Sequence, residues 1–388
     1  MVTGGVHLDH AAGRPLDPRV RAAMLPVLDA PPASVEGVHE PARRCADLVE
    51  EARGSVAALL GAPAEAIVFT AGATEARNLA VKGLLSANRR LGGHVVASAV
   101  EHPATLACCR TATRDRGELT LVGVDADGRI APSAVAAAVR EDTALVCVVH
   151  GQPEVGTIQD VAALVAAARD ARPGCLVVVD AEETAGVLPV DVEAIGCDAL
   201  VVGGGAMAAP PWTGALYVRP GTRLHPVVEG GLQEGGKRAG AQDVPGVVAL
   251  GAAARLAAAE MAGRARAMTG LRDLLVARLT AVPGVRLNGA RGDERLPGHV
   301  QVSVEGVEGE TLALALAARD VAVSPGSACS AAGKASPVLE AMGLEPPWTH
   351  SAVLLTLDWR LTVDEVVFAS SVFAEEVARL RAMSPLAR

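Results

Sequence analysis

Lysine is nearly absent from this 388-residue chain, which holds only Lys82, Lys237 and Lys334. Chemistry that needs an amine nucleophile therefore has few candidates. Aromatic residues make up 2% against 50% hydrophobic overall, so the core must be built of Ala, Val and Leu rather than rings. The net charge of −9 is spread along the chain with no basic run. That argues against nucleic acid as the main partner and for a small molecule or a protein. No apolar run is read as reaching the roughly 18 to 20 residues of a membrane helix, so no membrane partner is expected. The opening "MVTGGVHLDH" has neither a charged n-region nor an apolar h-region, and a cytoplasmic location is expected. No CxxC pair occurs among the seven cysteines, Cys45, Cys108, Cys109, Cys147, Cys175, Cys197 and Cys329. This fits a reducing compartment, with no metal site read from the spacing and Cys147 and Cys175 as core thiols.

The length favours one large α/β domain with a smaller companion. Apolar runs such as "AIVFT", "HVVASA", "ALVCVVH", "CLVVVD", "ALVVGG" and "GALYVR" alternate with Ala-rich amphipathic stretches through residues 66 to 219. That is the pattern of βα units around a mostly parallel sheet. From about residue 246 a long helical stretch leads into "HVQVSVEG", a helix "GETLALALAARD" and a last helix from Thr362, the makings of a small α+β domain.

"GATEARN" at 72 to 78 follows a strand and opens a helix. Free N–H groups at such a turn can hold a phosphate, though many capped helices read the same way. It is accompanied by "LDHAAGRP", "EHPATL" at 101, "VVDAEETAGVLPVDV" at 178, "DALVVGGGAMAAPPWTGALYVR" at 198, "EGGKRAGAQDVPGVVALG" at 234 and "SPGSACSAAGKASPVLEAMGL" at 324. In this order and spacing the segments resemble the cysteine desulfurases of the class V aminotransferase group, enzymes that use pyridoxal 5′-phosphate (PLP).

The resemblance covers essentially the whole chain. It implies PLP fold type I, with a large domain (16–245) on a mostly parallel seven-stranded-type sheet. A small α+β domain (1–15 with 246–388) and a homodimer with active sites near the interface are also implied. Residue by residue, Asp180 matches the carboxylate that pairs with the pyridine nitrogen and His102 the ring-stacking histidine. Ala73 and Thr74 match the phosphate turn, and Cys329 the thiol that takes sulfur as a persulfide.

Other positions depart from the pattern. Ser-Gly-His-Lys is replaced by Gly203, Gly204, Gly205 and Ala206, so the Schiff-base lysine is Ala206, which cannot form an imine. A ring-binding asparagine is Pro153, the glutamine position is Glu183, a phosphate threonine from the other subunit is Ala241, and the carboxylate-gripping arginine is Leu354. Lys82, one helical turn past the phosphate turn, is expected to face solvent. Lys237 lies in a Gly-rich loop and Lys334 just beyond Cys329. Trp212 with Pro210 and Pro211 is expected to fill the vacated pocket.

Read without the resemblance, Asp180 is also a strand-end carboxylate capping a turn, His102 a satisfied buried histidine and Cys329 an inert thiol. Glu182 and Glu183 are acids at positions that are neutral in the family. Strand alternation predicts that one of them points inward, and repulsion from Asp180 would raise a pKa there. Three functions follow. The first is a PLP-independent desulfurase relative handling sulfur or a related small substrate through Cys329, fed by a persulfide donor protein in a specialised biosynthetic pathway. The second is a pseudoenzyme that pairs with an active paralogue, as a heterodimer. The third is a repurposed enzyme using Asp180, Glu183 and His102. No covalently bound cofactor is expected, and non-covalent PLP is left open.

Overall fold

The computed structural model describes residues 5–115, 117–326 and 335–383, so Cys329 and Lys334 lie outside the described residues. After a short strand β1 (Val6–His7), seven strands form one sheet: β2 (Ile67–Thr70), β3 (His94–Ser98), β4 (Glu118–Val122), β5 (Thr143–Val149), β6 (Leu176–Asp180), β7 (Ala199–Gly203) and β8 (Gly214–Val218). Their order is β2-β8-β7-β6-β5-β3-β4, and only β8 runs antiparallel to its neighbours. Strands β3, β5, β7 and β8 are buried along their whole length. Helices cover both faces, which is why these strands read as continuous apolar runs rather than alternating ones. Val, Ala and Leu fill the cores on the two sides.

A second sheet orders β12 (Ser324–Pro325), β13 (Ala352–Thr356), β10 (His299–Val304) and β9 (Val285–Leu287). Strand β1 pairs in parallel with β11 (Val321–Ala322), and Ala11 N donates to Thr356 Oγ1 at 2.8 Å. The N-terminal segment is thereby stitched to the C-terminal third while Arg14 reaches back to the 205–207 turn.

One helix, Val244–Thr280, is long and apolar enough to cross a membrane by length and composition, contrary to the sequence expectation. Its first half packs against the helices Glu40–Leu60 and Pro18–Leu28, and an 18-residue apolar window is 56% buried inside the chain. At the crossing, a Cβ on Gly251 would lie 2.5 Å from Ala52 Cα, so only glycine permits this approach. Gly214 serves the same purpose beside the phosphate-type turn, where a Cβ would meet the Gly72 backbone at 2.6 Å.

Candidate functional site

Parallel sheets present ligand-handling groups at the carboxyl ends of their strands. Here Asp180 ends β6 between Val149 of β5 and Val201 of β7. Both of its carboxylate oxygens are used: Oδ1 accepts from Glu182 N at 3.1 Å and Oδ2 from Arg77 Nε at 2.6 Å. Arg77 lies on the helix Ala73–Asn78 and is 3% exposed. Its Nη2 donates to Glu182 Oε2, so one guanidinium joins two carboxylates. Burial alone would lower the Arg77 pKa, but the charges of Asp180 and then Glu182 more than reverse that and raise it. Burial raises the pKa of Glu182, opposed by Arg77.

Glu183 also points inward, against the expectation that alternation would turn one of the two acids out. The strand ends at Asp180 and residues 182–184 form a turn, so period-two geometry no longer applies. Glu183 Oε2 lies 3.6 Å from His299 Nε2, beyond a direct hydrogen bond, and that nitrogen is buried without a partner. Burial, then the charge of Glu182, pushes Glu183 up to about 8 against the pull of Arg14. Burial, then Arg14, brings His299 down to about 3. At neutral pH the pair is a protonated acid beside a neutral imidazole.

Arg14 Nη1 donates to the Ala206 carbonyl at 2.7 Å, and its Nε is 3.8 Å from Asp358 Oδ2. Ala206 sits in the 3-10 turn Gly205–Met207, 6% exposed, packed with Val187 and Met268. Its methyl group faces an apolar wall.

His102 caps the helix Pro103–Thr113, Nδ1 accepting from Ala104 N at 3.0 Å. Burial and then the nearby Arg77 charge bring it down to about 4, so it is neutral. The adjacent Glu101 is 2% exposed, accepts from Ser98 Oγ at 2.6 Å and Val149 N at 2.7 Å, and is pushed up to about 8 by burial. His150 bonds Thr184 Oγ1 at 2.9 Å. Among the described residues, no group of three His, Cys, Asp or Glu is placed to hold a metal ion.

Ala73 is buried and Thr74 exposed at the start of their helix. Leu354 is buried in β13 and Ala241 is exposed. Two further expectations are corrected. Trp212 is 62% exposed, so its ring does not fill the pocket; Pro211 instead packs towards Gly13. Lys82 does not stand free in solvent but is half-buried, with Nζ donating to Asn78 Oδ1 at 2.6 Å.

Sequence reading missed Arg77, Arg14, Glu101 and His299. The signal for Arg77 was present: within "GATEARNLAVKGLL" it shares the buried helix face with Ala73, Ala76 and Ala80. A charge on that face needs a partner.

Comparison with known proteins accords with this geometry. The family model described as aminotransferase class-V matches residues 6–366. A cysteine desulfurase IscS from Anaeromyxobacter dehalogenans is 40% identical over 386 residues, 98% of this chain and 94% of that one. Another from Dictyoglomus turgidum is 35% identical over 382 residues, 98% of this chain and 96% of that one. A solved structure described as a NifS-like protein superposes with a TM-score of 0.91 at 28% identity, covering 97% of this chain and 100% of that one. With its mostly parallel α/β sheet, the chain belongs to the class V aminotransferase family of PLP fold type I, among the cysteine desulfurase-like proteins.

Proposed function

We propose that this protein is a desulfurase relative that works without an aldimine-linked cofactor. It handles sulfur, or a related small substrate, through Cys329 in a specialised biosynthetic pathway. The observation that carries the reading is Ala206: the residue at the lysine position has no amine, and its side chain packs against Val187 and Met268. Family members normally use PLP, but the residues present here do not fit it as the family holds it. Position 153 is proline, and both oxygens of Asp180 are already engaged. Lys82 is tied to Asn78.

On this reading the thiolate of Cys329 attacks the outer sulfur of a donor persulfide, the donor leaves as its thiolate, and Cys329 becomes the persulfide. The donor is an active desulfurase or a carrier charged by one. The same reading takes 16–245 as the large domain, 1–15 with 246–388 as the small one, and a homodimer as the assembly. Incubation with an active cysteine desulfurase and [35S]cysteine tests it. Label should appear on Cys329 and be lost in Cys329→Ser. A reducible aldimine in the native protein, mapped to Lys237 or Lys334, would overturn it.

A second reading, a repurposed acid/base enzyme, is favoured by the buried Glu183–His299 pair at 3.6 Å. In that case Glu183→Gln abolishes the protein's function in its pathway and Cys329→Ser leaves it intact.

A further inference from the structure

A PLP ring is held in part by a carboxylate facing its protonated nitrogen, so the space against one of its oxygens must be open to the ring. In this chain both oxygens of the matching carboxylate, Asp180, already accept a hydrogen bond, one of them from a buried cation. Glu182 N takes Oδ1 and Arg77 Nε takes Oδ2 at 2.6 Å. The second carboxylate, Glu182, is joined to the same guanidinium. His102, the residue matched to ring stacking, lies close enough to Arg77 for its charge to depress the imidazole.

We infer that Arg77 excludes the cofactor ring: its guanidinium takes the place that a protonated ring nitrogen would take against Asp180. This rests on the reading of the chain as cofactor-independent and adds a cause separate from the alanine at 206. Three properties make the exclusion durable. A guanidinium stays protonated at any working pH, so titration does not free Asp180. Arg77 comes from the helix that begins at the phosphate-type turn, so it is fixed by the same segment that would hold the cofactor's phosphate. Glu182 adds a second anchor, and the two acids with one cation form a closed network rather than a site awaiting a ligand.

The consequence is specific. Restoring an amine by Ala206→Lys leaves the ring seat filled, whereas removing the guanidinium leaves an acid pair that favours a cationic ring. Pyridoxamine 5′-phosphate is the suitable probe, because it carries the ring and phosphate but forms no imine with a lysine. Its affinity is measured by equilibrium dialysis for the full-length native chain, Ala206→Lys, Arg77→Asn and Arg77→Asn/Glu182→Gln. The last variant removes the excess negative charge should Arg77→Asn alone fail to fold, which circular dichroism reports.

The expected result is binding at least tenfold tighter in the folded Arg77 variants than in the native chain or Ala206→Lys. Equal binding with and without Arg77 overturns the inference, and so does an absence of binding in all four proteins. The reading that no aldimine-linked cofactor is used fails on a separate finding, a reducible aldimine in the native protein.

Discussion

Arg77 and Asp180 stand 103 residues apart in the chain and 2.6 Å apart in space, with the guanidinium 3% exposed. Removing one partner of such a pair leaves the other charge buried and unanswered. Arg77→Ala should therefore cost about 3–5 kcal/mol of stability. Arg77→Lys keeps the charge but loses the fork that reaches both Asp180 and Glu182, and should recover only part of that. Urea denaturation with an unchanged m-value measures both. A cost below about 1 kcal/mol for Arg77→Ala would mean that water enters the network.

Acids raised by burial set a pH dependence. Burial pushes Glu101 and Glu183 up to about 8 in the fold and Glu154 up to about 7, against an ordinary value near 4.5. The folded state then binds more protons than the unfolded one between those values, so these groups lose stability as pH rises through that window. The histidines act oppositely. His102 and His150 are brought down to about 4 and His299 to about 3, so they lose stability as pH falls below about 6.5. Above about pH 7.5 an unfolded histidine is also neutral, so the acids dominate, and stability should fall there by up to about 1.4 kcal/mol per pH unit per acid. Glu183→Gln should flatten this slope, which melts at about pH 7.5, 8 and 8.5 would show.

The sheet was legible because parallel strands covered on both faces must be continuously apolar, and "ALVCVVH" and "CLVVVD" are β5 and β6 almost residue for residue. Asp180 was legible as the polar residue that ends such a run. The orientation of Glu182 and Glu183 was not, because alternation holds only while the chain stays extended and the strand stops at Asp180. Nor was the pairing of Glu183 with His299, since one lies in the turn after β6 and the other on β10 of the second sheet, and no local pattern records contact between them. Trp212 was misplaced for a related reason: size suggested a filler, but its turn points outward.

Thiol reactivity tests the sulfur-handling reading. Cys108, Cys109, Cys147, Cys175 and Cys197 are buried, and Cys45 is half-buried. Burial raises Cys108 and Cys175 and pushes Cys197 up to about 12, while Cys147 is raised by its contact with Cys109 and by burial. None of those will be a thiolate near neutrality. Iodoacetamide on the native protein should therefore modify Cys329 first, read by peptide mapping. Cys329→Ser should remove the fast phase and leave slow modification of Cys45. Fast labelling that survives Cys329→Ser would remove the thiol from the proposal.

Glu234 anchors the Gly-rich loop near Lys237 from within. Glu234 accepts from Arg53 Nη1 at 2.8 Å, Arg53 Nη2 at 3.1 Å and Phe69 N at 2.9 Å, which ties the loop to β2. It does so from a left-handed backbone, φ 52°, a conformation that a residue with a Cβ adopts only at a cost. Two opposed terms can thus be separated by substitution. Glu234→Ala loses the pair and keeps the strain, and should cost about 3–5 kcal/mol. The low end of that range is expected, because Arg53 retains Glu50 at 3.0 Å and the Ile67 carbonyl at 2.8 Å. Glu234→Gly loses the same pair but removes the Cβ, so it should be more stable than the alanine variant by about 1 kcal/mol. Denaturation of both variants decides this. If the glycine variant is the weaker one, backbone strain at 234 is negligible.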